Sequence, residues 1–381
     1  MYGTALITAL LLTAGLYLRV APQDNSPATS VHAAPLYHVS FERGDVVAGV
    51  SSTRAIQLPL QCTSDGSIFV NFVGLVPANS GIQPPLFSPS QLVSISPTGR
   101  SQTFTVEQVP DLYISREVDY FASDSEVIFL TEASRENIPA KQTVLWKDGS
   151  KVSKREFPDN AAEKHYYIVT FSRDGEYKRT AKLDDAFSIH KVGVFPSGTF
   201  LVFGFDNSDH SAKLAMLKED GTLLKTLEIP TGGTPKSMVS GRDATQPLEI
   251  APSEFVSSAR SIVIVQNKTT FPLLEINEGG AVRAIGADLP KGQRVEAVIS
   301  SDQNLYVIAS PIAAKEPSGM IYEINSDDGS ILRRFELPHG RWGSDVACVH
   351  GGKFLSIDYA DGKVVPLIGS AEPATVDQRK P

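Results

Sequence analysis

From about residue 36 onward the chain is a succession of short apolar runs rich in Val, Ile, Phe, Leu and Tyr, each bounded by Gly, Asp, Asn, Ser or Pro. No amphipathic helix longer than two turns is legible in this region. Short apolar runs between turn residues are the pattern of β-strands, and Asp-Gly or Ser-Gly steps suit turns because positive φ costs little there. The turns are of two kinds, and they alternate. The first precedes a very apolar run: Ser64-Asp65-Gly66 before Ile68-Phe69-Val70, Pro196-Ser197-Gly198 before Phe200-Leu201-Val202-Phe203, and His350-Gly351-Gly352 before Phe354-Leu355-Ser356-Ile357, with counterparts at 123–125, 257–260 and 301–304. The second joins an apolar strand to a polar one: Pro97-Thr98-Gly99, Arg173-Asp174-Gly175, Glu219-Asp220-Gly221, Glu278-Gly279-Gly280, Asp327-Asp328-Gly329 and Ala360-Asp361-Gly362.

Two hairpin turns per unit imply four strands, and six such units follow one another. Four-stranded units repeated radially are the blades of a propeller. The expected fold is therefore all-β, a six-bladed β-propeller with four-stranded blades over residues 36–370. The pattern resembles six-bladed propellers of the NHL and TolB-like kind. The Trp-Asp dipeptide of WD40 repeats and the Trp-Asp-x-x-Thr-Gly run of quinoproteins are absent. The last unit is short, with about 10 residues between Gly351 and Asp361. Its fourth strand is expected from the N-terminal side, Leu36–Phe41 or Asp45–Val50, which would close the ring and remove an exposed edge. Longer inserts at about 74–90 and 133–164, with Pro77, Pro84, Pro85, Pro89, Pro139 and Pro158, offer a binding rim.

The N-terminus departs from this pattern. Gly3 to Leu18 is a 16-residue stretch dominated by Leu, Ala, Ile and Gly. As a helix it would be about 24 Å long, short of the roughly 30 Å hydrocarbon core and long enough for the apolar region of a signal peptide. No Lys or Arg precedes it. Residues 1–21 are thus read as a signal peptide or a membrane anchor, 22–35 as a linker, and 371–381 as a disordered tail. Val31-His32-Ala33 offers small residues for cleavage after Ala33, far downstream of Leu18. Both readings put the body outside the cytoplasm, secreted or periplasmic.

Composition adds limits. The net charge is −8 and no Lys/Arg stripe occurs, which argues against nucleic acid as a partner. Seven scattered His and two Cys make no zinc-type spacing. Cys62 and Cys348 each lie four residues before a glycine of the first turn kind, in matching slots of the first and last units. Two readings follow: buried thiols packed as small hydrophobes, favoured by the wide spacing expected around a channel, or a disulfide locking the ring.

Candidate chemistry gathers at the starts of the innermost strands, where loops of every unit converge on the channel mouth. Counting back from the first turns gives Arg116, Glu117 and Asp119, then His190 and Lys191, Arg294 and Glu296, and Arg341, Trp342 and Asp345, with Arg54 and Gln57 from the first unit. Arg forks suit carboxylates and phosphates and Trp342 suits a ring, so a small polar ligand or a protein partner is one reading. Carboxylates with His190 near them suit a hard cation, as in a metal-dependent hydrolase of the lactonase kind, where a channel metal acts as Lewis acid. Ion pairs lining a wet channel are the structural reading. No Gly-x-Ser-x-Gly elbow or phosphate loop occurs, and Asn267-Lys268-Thr269 is a single glycosylation triplet. The sequence leaves the question of a cofactor open.

Overall fold

The computed structural model describes residues 34–47, 55–73, 91–104, 106, 109, 111–135, 141–147, 150–156, 164–184, 187–208, 211–228, 255–258, 261–267, 271–285, 289–290, 293–300, 304–311, 319–341, 346–360 and 363–374. Among them the regular elements are all strands. In chain order they open with β1 (Leu36–Arg43). A first meander follows: β2 (Ala55–Cys62), β3 (Ile68–Val73), β4 (Gln91–Ile95) and β5 (Ser101–Phe104). The next is β6 (Tyr113–Ala122) and β7 (Glu126–Ser134), then an inserted hairpin of β8 (Lys141–Lys147) and β9 (Ser150–Glu156), then β10 (His165–Ser172) and β11 (Tyr177–Lys182). The third is β12 (Phe187–Val194), β13 (Phe200–Asp206), β14 (Ala212–Leu217) and β15 (Leu223–Leu227). The fourth is β16 (Phe255–Ser258), β17 (Ser261–Asn267), β18 (Phe271–Asn277) and β19 (Val282–Ile285). Then come β20 (Gln293–Ser300), β21 (Leu305–Pro311), β22 (Met320–Ile324) and β23 (Ile331–Glu336), and finally β24 (Val346–His350), β25 (Lys353–Ala360) and β26 (Lys363–Pro373).

The first four meanders are separate four-stranded sheets, and β8–β9 is a two-stranded sheet of its own. The rest form one eight-stranded sheet, β20-β21-β22-β23-β1-β26-β25-β24. β1 is its bridge: it pairs antiparallel with β26 from Tyr37↔Pro373 to Arg43↔Leu367, and parallel with β23 at Leu36↔Arg334 to His38↔Glu336. Thus β1 supplies the outer strand beside β26, as the short last unit led us to expect. The first strands of the meanders touch in sequence, β2 to β6, β6 to β12, β12 to β16, β16 to β20, β20 to β24 and β24 to β2. The arrangement is propeller-like.

The core lies between consecutive sheets, face against face. Successive residues of a strand point to opposite faces. Accordingly Val127 and Phe129 pack with Phe69, Leu92 and Phe104 of the preceding sheet, while Ile128 and Leu130 pack with Phe200, Val202 and Leu214 of the following one. A strand buried on both faces has no polar side, which is why the second strands read as unbroken apolar runs. The outer strands are polar because one long edge meets solvent, as in β15, where Leu223 to Thr226 are exposed and Leu227 is buried.

Three expectations are corrected. Asp361-Gly362, outside the described residues, falls in sequence between β25 and β26, and these are the second and third strands of the unit, not the third and fourth. The reason is that the fourth strand of this unit, β1, comes from the other end of the chain and needs no covalent turn. β26 runs to Pro373, past the boundary expected at 370, because β1 pairs with it along its length. Cys62 and Cys348 form a disulfide, with Cα atoms 5.7 Å apart. The wide spacing expected around a channel does not hold here because β2 and β24 are in direct contact.

Candidate functional site

The meander topology sorts the connections onto two faces. The turns from first to second strand and from third to fourth share one face. The Ser64 N–H donates to Asp124 Oδ1 (2.8 Å), Arg173 Nη2 to Asp65 Oδ2 (3.2 Å), and the Ser197 N–H to Glu278 Oε1 (2.8 Å), linking turns of neighbouring sheets. The opposite face carries the starts of the first strands and the ends of the second strands. We call these the turn face and the mouth face.

Five of the first strands carry a register irregularity, while β16 pairs with β17 in unbroken register. Register shifts fall at Gln57/Gln61 in β2, Ile114/Arg116 and Glu117/Asp119 in β6, Ile189/Lys191 in β12, Val295/Ala297 in β20 and Val346/Cys348 in β24. Bulges of this kind bend a strand and re-aim a side chain. The extra residues are Ser115 and Val118 in β6, His190 in β12, Glu296 in β20 and Ala347 in β24. Relative to the bulges at Val118 and Glu296, Arg116 and Arg294 hold the same slot, two residues upstream. Glycine permits the bulge at His190: a Cβ on Gly204, which pairs with Ile189, would lie 1.9 Å from the Ser188 carbonyl oxygen. The His190 side chain is exposed, with its ring edge-on to Phe205 at 5.4 Å between centroids.

One polar group at this level bridges two sheets. Asp119 is nearly buried, its side chain 7% exposed, and Lys191 of the next sheet reaches Oδ1 at 3.0 Å. The Val192 N–H donates to Oδ2 at 3.1 Å. Burial pushes the Asp119 carboxyl up from its ordinary range, against the pull of the Lys191 ammonium and the Val192 N–H. On the other side, Gln61 brackets β6: its Nε2 donates to Tyr120 O at 3.1 Å and its Oε1 accepts from the Ala122 N–H at 2.9 Å. With the Cys62–Cys348 disulfide, β24, β2, β6 and β12 are stitched in series.

The candidates named from sequence divide accordingly. Glu117, partly buried, adjoins the bulge of β6. Arg116, Arg294, His190 and Glu296 share the bulge level of their strands. Arg341 does not join them. Its guanidinium lies over the Phe41 ring of β1 at 5.3 Å and 3.7 Å from Asp358, so it is directed to the outer part of the last sheet. Asp119 and Lys191 satisfy each other. Trp342, Asp345 and Arg54 lie outside the described residues. Among the described residues, no three His, Cys, Asp or Glu side chains are grouped to hold a metal ion. Sequence reasoning missed the Gln61 bracket and the β8–β9 hairpin. The bracket has no local signature, but Asp148-Gly149 between Val144-Leu145-Trp146 and Val152 was a readable hairpin signal.

No family model and no curated protein matches this sequence. Among solved structures, the chain is similar to an ACO/RPE65 chimera at 12% identity and a TM-score of 0.36, over 77% of this chain and 64% of the chimera. It is thus aligned to less than two thirds of that protein's length. It is similar to Kuenenia stuttgartiensis hydrazine synthase at 11% identity and a TM-score of 0.40, over 88% of this chain and 99% of that one. A Bacteroides caccae protein of unknown function matches at 14% identity and a TM-score of 0.30, over 65% and 89%.

Proposed function

We propose that the chain is an extracytoplasmic, six-bladed β-propeller that binds a small anionic ligand, or an acidic group of a protein partner, at its mouth face. Counting the eight-stranded sheet as two blades sharing β1 gives six, and the cyclic contacts of the first strands support a closed ring. The resemblance to NHL and TolB-like propellers belongs to this reading. The observation that carries the binding role is the register: Arg116 and Arg294 occupy the same slot of β6 and β20, three blades apart in a ring of six and hence opposite one another. Two guanidinium-bearing positions at one level across a channel suit a carboxylate or phosphate. His190 and Glu296 occupy the bulge positions of β12 and β20 at that level.

Extracytoplasmic location is supported by the Cys62–Cys348 disulfide, a bond that persists in oxidising compartments, and by the apolar stretch Gly3–Leu18 acting as signal or tether. Among the described residues no helix is long and apolar enough to cross a membrane, and Gly3–Leu18 lies outside them.

The test is thermal shift and calorimetric titration with citrate and inorganic phosphate, on the intact chain and on an Arg116→Ala/Arg294→Ala variant. Stabilisation of the parent that falls at least about tenfold in affinity in the variant supports the reading; each lost charge-assisted contact contributes about 1.5–3 kcal/mol. Equal binding by both proteins, or binding by neither, overturns it. Calcium and magnesium ions in the same assay address the metal-dependent hydrolase. Stabilisation by either ion that is lost in His190→Ala would favour that alternative.

A further inference from the structure

The strands β8 and β9 stand apart from the blades. They pair in unbroken register from Lys141↔Glu156 to Lys147↔Ser150, and among the described residues they form a sheet of two strands joined to no other. The insertion leaves the second sheet after β7 and returns at β10, where Ala133 and His165 pair. A lone hairpin is at best marginally stable in water, and a sheet needs three or more strands to hold on its own. Each strand of this hairpin has one long edge without a partner strand. Its charge is opposite to that of the chain. Residues 141–156 hold five basic residues, Lys141, Lys147, Lys151, Lys154 and Arg155, and two acidic ones, Asp148 and Glu156, a net +3 in a chain of −8. Successive strand residues alternate between faces. The pairs Trp146↔Lys151, Val144↔Ser153 and Gln142↔Arg155 therefore share one face, and Leu145↔Val152 and Thr143↔Lys154 share the other.

We infer that the free edge of β9 is a docking site for an extended acidic segment of a protein partner, which adds to the hairpin as its third strand. Main-chain hydrogen bonds along an open edge supply affinity, and alternate side chains of the added strand supply selectivity. β9 is the edge that the charge favours, because it holds Lys151, Lys154 and Arg155, three of the five basic residues. An added strand with acidic residues on the face of Lys151 and Arg155 meets opposite charge there, and apolar residues on its other face meet the face of Leu145 and Val152. A second copy of the same hairpin is disfavoured, since lysines on an edge strand deter pairing with their own kind. The same lysines attract an acidic strand. The site is distinct from the bulge level of Arg116 and Arg294 and does not depend on the ligand proposed there.

The experiment uses the full chain with Cys62–Cys348 oxidised, a fluorescent peptide of four Glu-Val repeats, and a peptide of four Lys-Val repeats as its opposite. Anisotropy reads affinity, and hydrogen exchange reads where the peptide sits. We expect the parent to bind the Glu-Val peptide, to ignore the Lys-Val peptide, and to gain protection along Ser150–Glu156. Lys151→Glu/Arg155→Glu should bind the Glu-Val peptide at least about tenfold more weakly and gain the Lys-Val peptide. Unchanged melting shows that the blades of the variant are intact. Protection of β9 in the parent decides the location whether or not the variant hairpin forms. Equal affinity of parent and variant for the Glu-Val peptide, binding by neither, or equal binding of both peptides by the parent overturns the docking site. Binding without protection of β9 overturns it too, and protection of β6 and β20 in that case would still support the mouth-face ligand. Flotation of the parent with phosphatidylglycerol vesicles, in the absence of peptide binding, overturns it in favour of a lipid surface.

Discussion

At the scale of single residues, two positions carry more than their surroundings. Asp119 joins β6 to β12 through Lys191 and the Val192 N–H. Removing it leaves an ammonium and a buried amide without their partner. Asp119→Ala should therefore cost about 2–4 kcal/mol in urea denaturation, with Asp119→Asn costing less because its amide oxygen still accepts. Its pH signature is opposite to that of the turn carboxylates. The folded state raises the Asp119 pKa, so its contribution is full below the ordinary carboxylate value and is lost as pH rises through the raised one. Asp65 is lowered: burial pushes it up, but the Ser67 N–H, the Thr63 hydroxyl and Arg173 outweigh this. Asp206 is lowered to about 2 by the Ser208 hydroxyl and N–H. Contributions of this second kind are present above about pH 4 and lost as pH falls through the lowered values. Denaturation midpoints between pH 2 and 8 should fall on the acid side, and Asp119→Asn should remove the opposing slope above pH 4. Gly204 is the second position. Gly204→Ala drives a methyl group into the Ser188 carbonyl and should cost roughly 1–3 kcal/mol, with altered hydrogen exchange at His190 as its local readout.

At the scale of elements, the outer strands repeat one device. A long polar or basic side chain of four outer strands, β5, β11, β15 and β19, meets the third-to-fourth-strand turn of the next sheet. Gln102 lies against Gly175, Arg179 Nη1 pairs with Glu219 at 2.7 Å, Lys225 Nζ donates to Gly279 O at 2.6 Å, and Arg283 Nη1 donates to Asp327 O at 3.0 Å. The contacts are exposed, so a single loss at Lys225 should stay below about 1 kcal/mol. Arg179→Ala should cost more, because Glu126, with a side chain 9% exposed, loses its cation as well. β1 does at the edge of two sheets what these side chains do between the others. Deleting residues 1–43 bares the edges of β23 and β26 together. The expected result is aggregation on size-exclusion chromatography in place of a monodisperse peak.

At the scale of the molecule, the ends of the fold are joined twice, by β1 and by a disulfide spanning 286 residues of sequence. A cross-link over so long a loop restricts the unfolded chain strongly. Cys62→Ser/Cys348→Ser should lower stability by about 2–5 kcal/mol, and dithiothreitol should lower the Tm of the parent protein but not of the variant. The architecture was legible in the chain because it follows from local patterning. Unbroken apolar runs mark strands buried on both faces, and turn residues at regular spacing mark where the chain reverses. The short last unit pointed to Leu36–Phe41 or Asp45–Val50 as its missing strand, and β1 takes the first of these. What patterning cannot carry is the distance between elements far apart in sequence. The same slots of β2 and β24 were visible as Cys62 and Cys348, yet whether they bond depends on how closely those strands approach. Asp119 and Lys191 read as two charges facing a channel, and only the packing of β6 against β12 makes them a pair. Likewise the bulges that align His190 with Glu296 are set by pairing register across each sheet, a property of two strands together that neither strand's composition encodes.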